Sequence, residues 1–79
     1  GENNERWTAT VNKYKKGDFV NGTIEKEVNF GYFIKIDTGL EGLLHKNDIR
    51  NGKVPKLNET LEVKIIKVDF EKKQIAFSY

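Results

Sequence analysis

An all-β fold, a barrel of five strands, is what this sequence predicts, on three observations. Beyond residue 17 the apolar residues fall into short segments that repeat every second position. One long polar connection separates the third such segment from the fourth. The first and fourth segments carry devices that bend a strand sharply enough for a small closed sheet.

Ahead of the strands, Trp7, Val11 and Tyr14 stand at i, i+4 and i+7, one face of a two-turn helix with polar residues between. That helix is expected to seal a barrel opening or to dock on a preceding unit. After "KKGD" the period changes to two. Val20, Gly22 and Ile24 alternate with Asn21, Thr23 and Glu25, which marks a half-buried first strand. Gly22 has no side chain to pack, so it permits either a sharp bend or a close backbone approach.

The second strand is expected from Tyr32 to Ile36, with Tyr32, Ile34 and Ile36 inward and Phe33 and Lys35 outward. "DTG" turns the chain into the third strand, Leu40 to His45. There His45 shares its parity with Glu41 and Leu43, and twist or a bulge decides whether it joins the Phe33 face. The long connection "KNDIRNGKVPKLNE" holds "NG" and the single proline, with one helical turn expected over Asp48, Ile49 and Arg50. In the fourth strand, "TLEVKIIKVD", Leu61, Val63 and Ile65 alternate before Ile66 and Val68 take the opposite parity, so a bulge is expected near Ile65. "DFEKK" is a charged hairpin turn, and "QIAFSY" is the fifth strand with Ile75 and Phe77 inward. Five strands with this long third-to-fourth link, a helical turn within it and a short N-terminal helix describe an OB-fold, expected as a partly open barrel.

Composition narrows the function. The 79 residues suit one domain close to the lower size for a single core, and the absence of cysteine removes disulfides and thiolate zinc sites. No apolar run approaches the roughly 18 residues of a membrane span, so no membrane partner is expected. The polar start "GENNER" has no secretory build and begins with Gly1, which points to an excised fragment and a cytoplasmic setting. The net charge of +2 is mild for a duplex binder, so nucleic-acid affinity has to rest partly on stacking.

Catalytic constellations are poor. His45 is the only histidine, without neighbours for a metal site, and no cofactor or small-molecule substrate is expected. Ser78, His45 and Asp69 spell a triad by letter only, because Ser78 lacks a nucleophile elbow. "GLEG" imitates a KH-type clamp, but its flanks read as strand, and the other glycines have neither dinucleotide nor P-loop spacing. A non-enzymatic module is expected.

Residues 17–78 resemble the S1 RNA-binding domain family, on "GDFVNGTI", "FGYFIKI", "GLEGLLH" and "EVKIIKVDFEKKQIAFS". The resemblance implies a binding patch of two phenylalanines flanking a glycine, the histidine closing strand 3, an aspartate ending strand 4 and a basic residue opening strand 5. Phe30, Phe33, His45 and Asp69 match the first four, whereas Gln74 stands where arginine is usual. Lys72 and Lys73 are near enough in sequence to substitute, Lys35 shares the outward parity of Phe33, and Lys46 adds charge beside the histidine. Phe30 reads equally as a core residue at the barrel end, and Asp69 as the cap of the turn that follows it. The lead-in "ERWTATVNKYKKGD" is similar to the linker before a repeat in ribosomal S1-type proteins. Residues 1–16 are therefore expected to be a linker and 17–79 one RNA-binding repeat of a tandem array. The expected partner is single-stranded RNA, messenger RNA at the ribosome, together with neighbouring S1 repeats. A protein-docking repeat, or the S1 module of a ribonuclease or transcription factor, is the alternative.

Overall fold

Residues 2–79 are described in a computed structural model, and Gly1, the first residue of the expected linker, lies outside them. The chain forms α1 (Glu2–Lys13), β1 (Phe19–Val28), β2 (Gly31–Ile36), β3 (Glu41–His45), a 3-10 turn (Lys46–Asp48), β4 (Thr60–Asp69) and β5 (Gln74–Ser78). The strands pair in the cyclic order β1-β2-β3-β5-β4, with β4 returning to β1. Every pairing is antiparallel except that of β3 with β5, where Leu43 faces Ala76 and Leu44 faces Phe77. This parallel contact closes the barrel, as the bending devices of the first and fourth strands allow, where a partly open one was expected from the strand number alone.

The inward residues are those the period-two reading selects. Ile24, Ile34, Leu44, Ile65 and Phe77 are wholly buried, and Tyr32, Ile36 and Ile75 nearly so. Burial of side chains this size stabilises by about 1.5–3 kcal/mol each, so one-residue slips of register are strongly disfavoured. The expected bulge in β4 lies between Ile65 and Lys67. It pushes Ile66 off the barrel wall, after which Val68 pairs with Ile75 and turns inward again. In β1 the ladder slips between Ile24 and Lys26, three residues beyond Gly22. Gly22 serves close approach instead, since a Cβ there would run into the Ile34 side chain.

The expected helical turn is displaced: it covers Lys46–Asp48, and Ile49 is already extended. Tertiary hydrogen bonds explain the shift. Arg50 N and Asn51 N both donate to the Tyr79 carbonyl, and Tyr79 N donates to Asp48 O. Arg50 and Asn51 are thereby tied to the end of the chain and cannot extend the turn, which Ile49 N closes on Lys46 O.

Helix α1 is longer than two turns and closes the barrel end bounded by the β2–β3 and β4–β5 turns. Trp7 joins the core at 6% exposure, and Val11 and Tyr14 pack against it. Thr10, fully buried, donates to the Arg6 carbonyl and shares a 2.5 Å hydroxyl contact with Thr38. Phe70 of the β4–β5 turn meets Trp7 edge-on. Lys13 pairs with Asp37, whose other oxygen accepts from the Tyr14 hydroxyl at 2.9 Å. Among the described residues no helix is long and apolar enough to cross a membrane.

Candidate nucleic-acid interface

Opposed residues in an antiparallel ladder project from the same side of the sheet, and so do residues two apart. Phe33 faces Leu43, Lys35 faces Glu41 and Gly31 faces His45, so His45 does join the Phe33 face. Leu43 in turn neighbours Ala76, which neighbours Lys67, and Asp69 faces Gln74. The outer surface of four strands is thus continuous, and a groove of about 610 Å³ lies along it. One wall carries Phe30, Phe33 and His45; the other carries Ile66, Lys67, Asp69 and Gln74.

Phe30 sits in the β1–β2 turn and is 52% exposed, so it is not a core residue. Its ring centroid lies 5.7 Å from that of His45, tilted by 42°. The glycine between the phenylalanines makes this possible. A Cβ on Gly31 would collide with the Leu44 carbonyl and lie 3.0 Å from the His45 Cα, so only glycine lets β2 press this closely on β3. The Phe30 carbonyl then accepts from Lys46 N at 3.0 Å, which fixes the turn beside the histidine. Phe33, in the same wall, is half-buried.

Asp69 caps the turn that follows it and also lines the groove. Its Oδ1 accepts from Lys72 N at 3.0 Å and from Glu71 N at 3.1 Å, capping the turn. The Lys72 amide, aided by the Glu71 amide and the charges of Lys67 and Lys72, holds the carboxyl below its ordinary range against an opposing desolvation. Asp69 is therefore anionic at neutral pH, suited to accept from a base amino group and unsuited to meet a phosphate.

The structure brings Phe30, Phe33, His45, Asp69 and Gln74 together along one groove. Lys35 projects from the same sheet face but does not line it, and Lys46 is exposed on the 3-10 turn. Lys72 lines a separate hollow with Arg6, Gly39, Leu40, Glu41 and Lys73. Sequence reasoning missed Lys67, Leu43 and Ile66 as groove residues. Leu43 was discoverable from its parity with His45. Lys67 required carrying the Ile65 bulge one residue further. Ser78 faces Lys64 on another side of the barrel and lines no part of the groove, so the three letters of the triad do not assemble. Among the described residues no group of three or more His, Cys, Asp or Glu could hold a metal.

Residues 13–79 match the family model described as S1 RNA binding domain. The chain is 36% identical over 78 residues to a small ribosomal subunit protein bS1 homolog of Bacillus cereus, covering 91% of this chain and 20% of that protein. It is 32% identical over 78 residues to a 4-hydroxy-3-methylbut-2-enyl diphosphate reductase of Clostridium tetani, covering 91% of this chain and 12% of that protein. The chain thus spans a fifth or less of the length of these relatives. Among solved structures it is similar to a chain of an a/eIF2alpha-aDim2p-rRNA complex from Pyrococcus horikoshii, with a TM-score of 0.73 and 27% identity, covering 82% of this chain and 44% of that one.

Proposed function

Because this chain belongs to the S1 RNA-binding domain family, we propose that its groove holds single-stranded RNA without catalysing any reaction on it. The observation that carries this reading is the row of exposed Phe30, half-buried Phe33 and exposed His45 on one groove wall with Lys67 on the other. Unpaired bases stack on aromatic rings for about 1–3 kcal/mol each, and a lysine across the groove meets the phosphates. Asp69 and Gln74 at the end of the groove supply an acceptor and an amide that can bond base edges.

One mildly charged barrel binds weakly, so the physiological unit is a tandem array in which residues 1–16 link this repeat, 17–79, to its neighbours and avidity supplies the affinity. Similarity to small ribosomal subunit proteins supports messenger RNA at the cytoplasmic ribosome as the ligand and setting. The alternative occupant is a protein, because Phe30, Phe33, Leu43 and Ile66 also make an apolar anchor site.

Amide-shift titration with a short single-stranded RNA tests the assignment. Perturbations are expected at Phe30, Phe33, His45, Lys67 and Asp69, with affinity falling as salt rises. Shifts confined to residues 46–59, or an affinity indifferent to salt, would favour the protein-docking reading.

A further inference from the structure

We propose that helix α1 forms part of the RNA track: a strand leaving the groove past Glu41 lays a backbone phosphate into the hollow formed by Arg6, Lys72 and Lys73. This rests on the single-stranded RNA reading above and extends it beyond the sheet surface. Glu41 lines both the groove and the hollow, so the two are contiguous.

The register shows which way the track runs. Gly31 opposite His45 marks the Phe30 end, while Lys35 opposite Glu41 and Asp69 opposite Gln74 mark the other. A strand stacked on Phe30 and Phe33 and continuing beyond Gln74 therefore arrives at the β2–β3 and β4–β5 turns, where α1 is seated.

The three cations come from two segments, Arg6 from α1 and Lys72 and Lys73 from the β4–β5 turn, and the fold brings the two together. Arg6 lies across the β2–β3 turn, where a Cβ on Gly39 would come within 3.2 Å of the guanidinium Nε; Gly39 also has a φ of 87°, which favours glycine. Lys73, at a φ of 54°, donates from Nζ to Asn4 Oδ1 on α1. The Lys72 amide is fixed by Asp69 Oδ1. Trp7, buried one residue after Arg6, anchors the helix that presents the guanidinium. Arg6, Lys72 and Lys73 line one hollow, and the positive charge gathered there suits a phosphodiester. Glu41 at the junction repels a phosphate and so separates one phosphate position from the next.

Binding of a trinucleotide and of a nonanucleotide of uridylate to the unmodified chain and to the R6Q/K72Q/K73Q variant tests this. The variant is expected to lose more affinity for the nonamer than for the trimer, and its plot of log affinity against log salt should flatten by about 0.7 for each phosphate contact removed. In the unmodified chain the Gly39, Lys72 and Lys73 amides should shift with the nonamer and not with the trimer, a readout that needs no folded variant. An equal loss for both oligonucleotides, an unchanged salt slope, or saturation of these amides by inorganic phosphate without weakening nonamer binding would overturn the proposal. If Phe33→Ala still weakens both oligonucleotides in that case, the groove reading stands and only the extension fails. If Phe33→Ala weakens neither, the groove reading itself is lost.

Discussion

Two ring pairs in this molecule have the same separation and opposite fates. Trp7 and Phe70 meet with centroids 5.7 Å apart, as do Phe30 and His45. In the first pair Trp7 is 6% exposed and part of the core, with Phe70 exposed above it; in the second both rings are exposed, Phe30 at 52% over a groove. The difference lies in what surrounds each pair. Trp7 covers an open barrel end that would otherwise expose the inner faces of five strands, whereas Phe30 stands in a turn outside a barrel that is already filled. Ring contact alone therefore does not separate a structural aromatic from a binding one; the apolar area still uncovered beneath it does.

The sharpest way to break the comparison is Trp7→Ala. Removing a buried ring of this size costs about 3 kcal/mol or more. In a domain of this length that lowers the thermal midpoint by roughly 12 °C or more. A melting curve superimposable on the parent's would show that α1 is not part of the cooperative unit and would leave the two ring pairs equivalent.

Gly31→Ala comes next, because it strikes both roles at once. The obstructing atoms are the Leu44 carbonyl and the His45 Cα, main-chain atoms that cannot rotate away, so a loss of about 1–3 kcal/mol is expected. The β2–β3 separation should widen at the Phe30 end. Loss of the nuclear Overhauser contact between the Phe30 and His45 rings, together with weaker RNA binding, is the measurement that checks it.

Phe33→Ala sharpens the contrast from the other side. Affinity for single-stranded RNA should fall about tenfold, the equivalent of one stacked base at about 1.4 kcal/mol, while the thermal midpoint barely moves. A variant that melts early yet keeps its RNA affinity would reassign Phe33 to the core.

Which of these residues could be read in advance follows from how local their determinants are. The limits of β4, Thr60–Asp69, and the inward set Ile34, Ile36, Ile75 and Phe77 were legible because alternation is a property of adjacent residues. The outward setting of Phe33 was legible for the same reason. Whether Phe30 is covered was not, since that depends on the closeness of β3 that Gly31 permits. The helical turn was misplaced because Tyr79, some thirty residues away, binds Asp48, Arg50 and Asn51. Lys67 reaches the groove through a bulge combined with the parallel β3–β5 contact, and the latter has no signature in either strand. Thr10 is buried because Thr38 lies against it, and nothing within α1 announces that.

The smallest expected effect concerns pH, and it again distinguishes the helix-sealed end from the groove. Asp37 is held below the ordinary carboxylate range, first by its hydrogen bond to Lys13 and then by the Tyr14 hydroxyl, against a modest desolvation. Its folded value lies below its unfolded one, so its contribution is present above the unfolded value, about 3.9, and is lost as pH falls through the lower folded one. Lys13 and Tyr14 are both raised, Lys13 chiefly by its bond to Asp37 and Tyr14 chiefly by burial. Their sign is the reverse: what they add is complete below their unfolded values and disappears as pH rises through the folded ones. The anchor of α1 is therefore strongest between these limits and weakens toward both. Asp37→Asn should lower the thermal midpoint slightly at neutral pH, by less than any substitution above, and the gap from the parent should close in strong acid. Asp69 is depressed as well, by the Lys72 amide and not by an ion pair across elements. Its protonation in acid should loosen the β4–β5 turn and leave the Lys13–Asp37 contact unaffected. A gap between Asp37→Asn and the parent that stays constant across the acid range would show that the carboxylate anchors the helix by shape and not by charge.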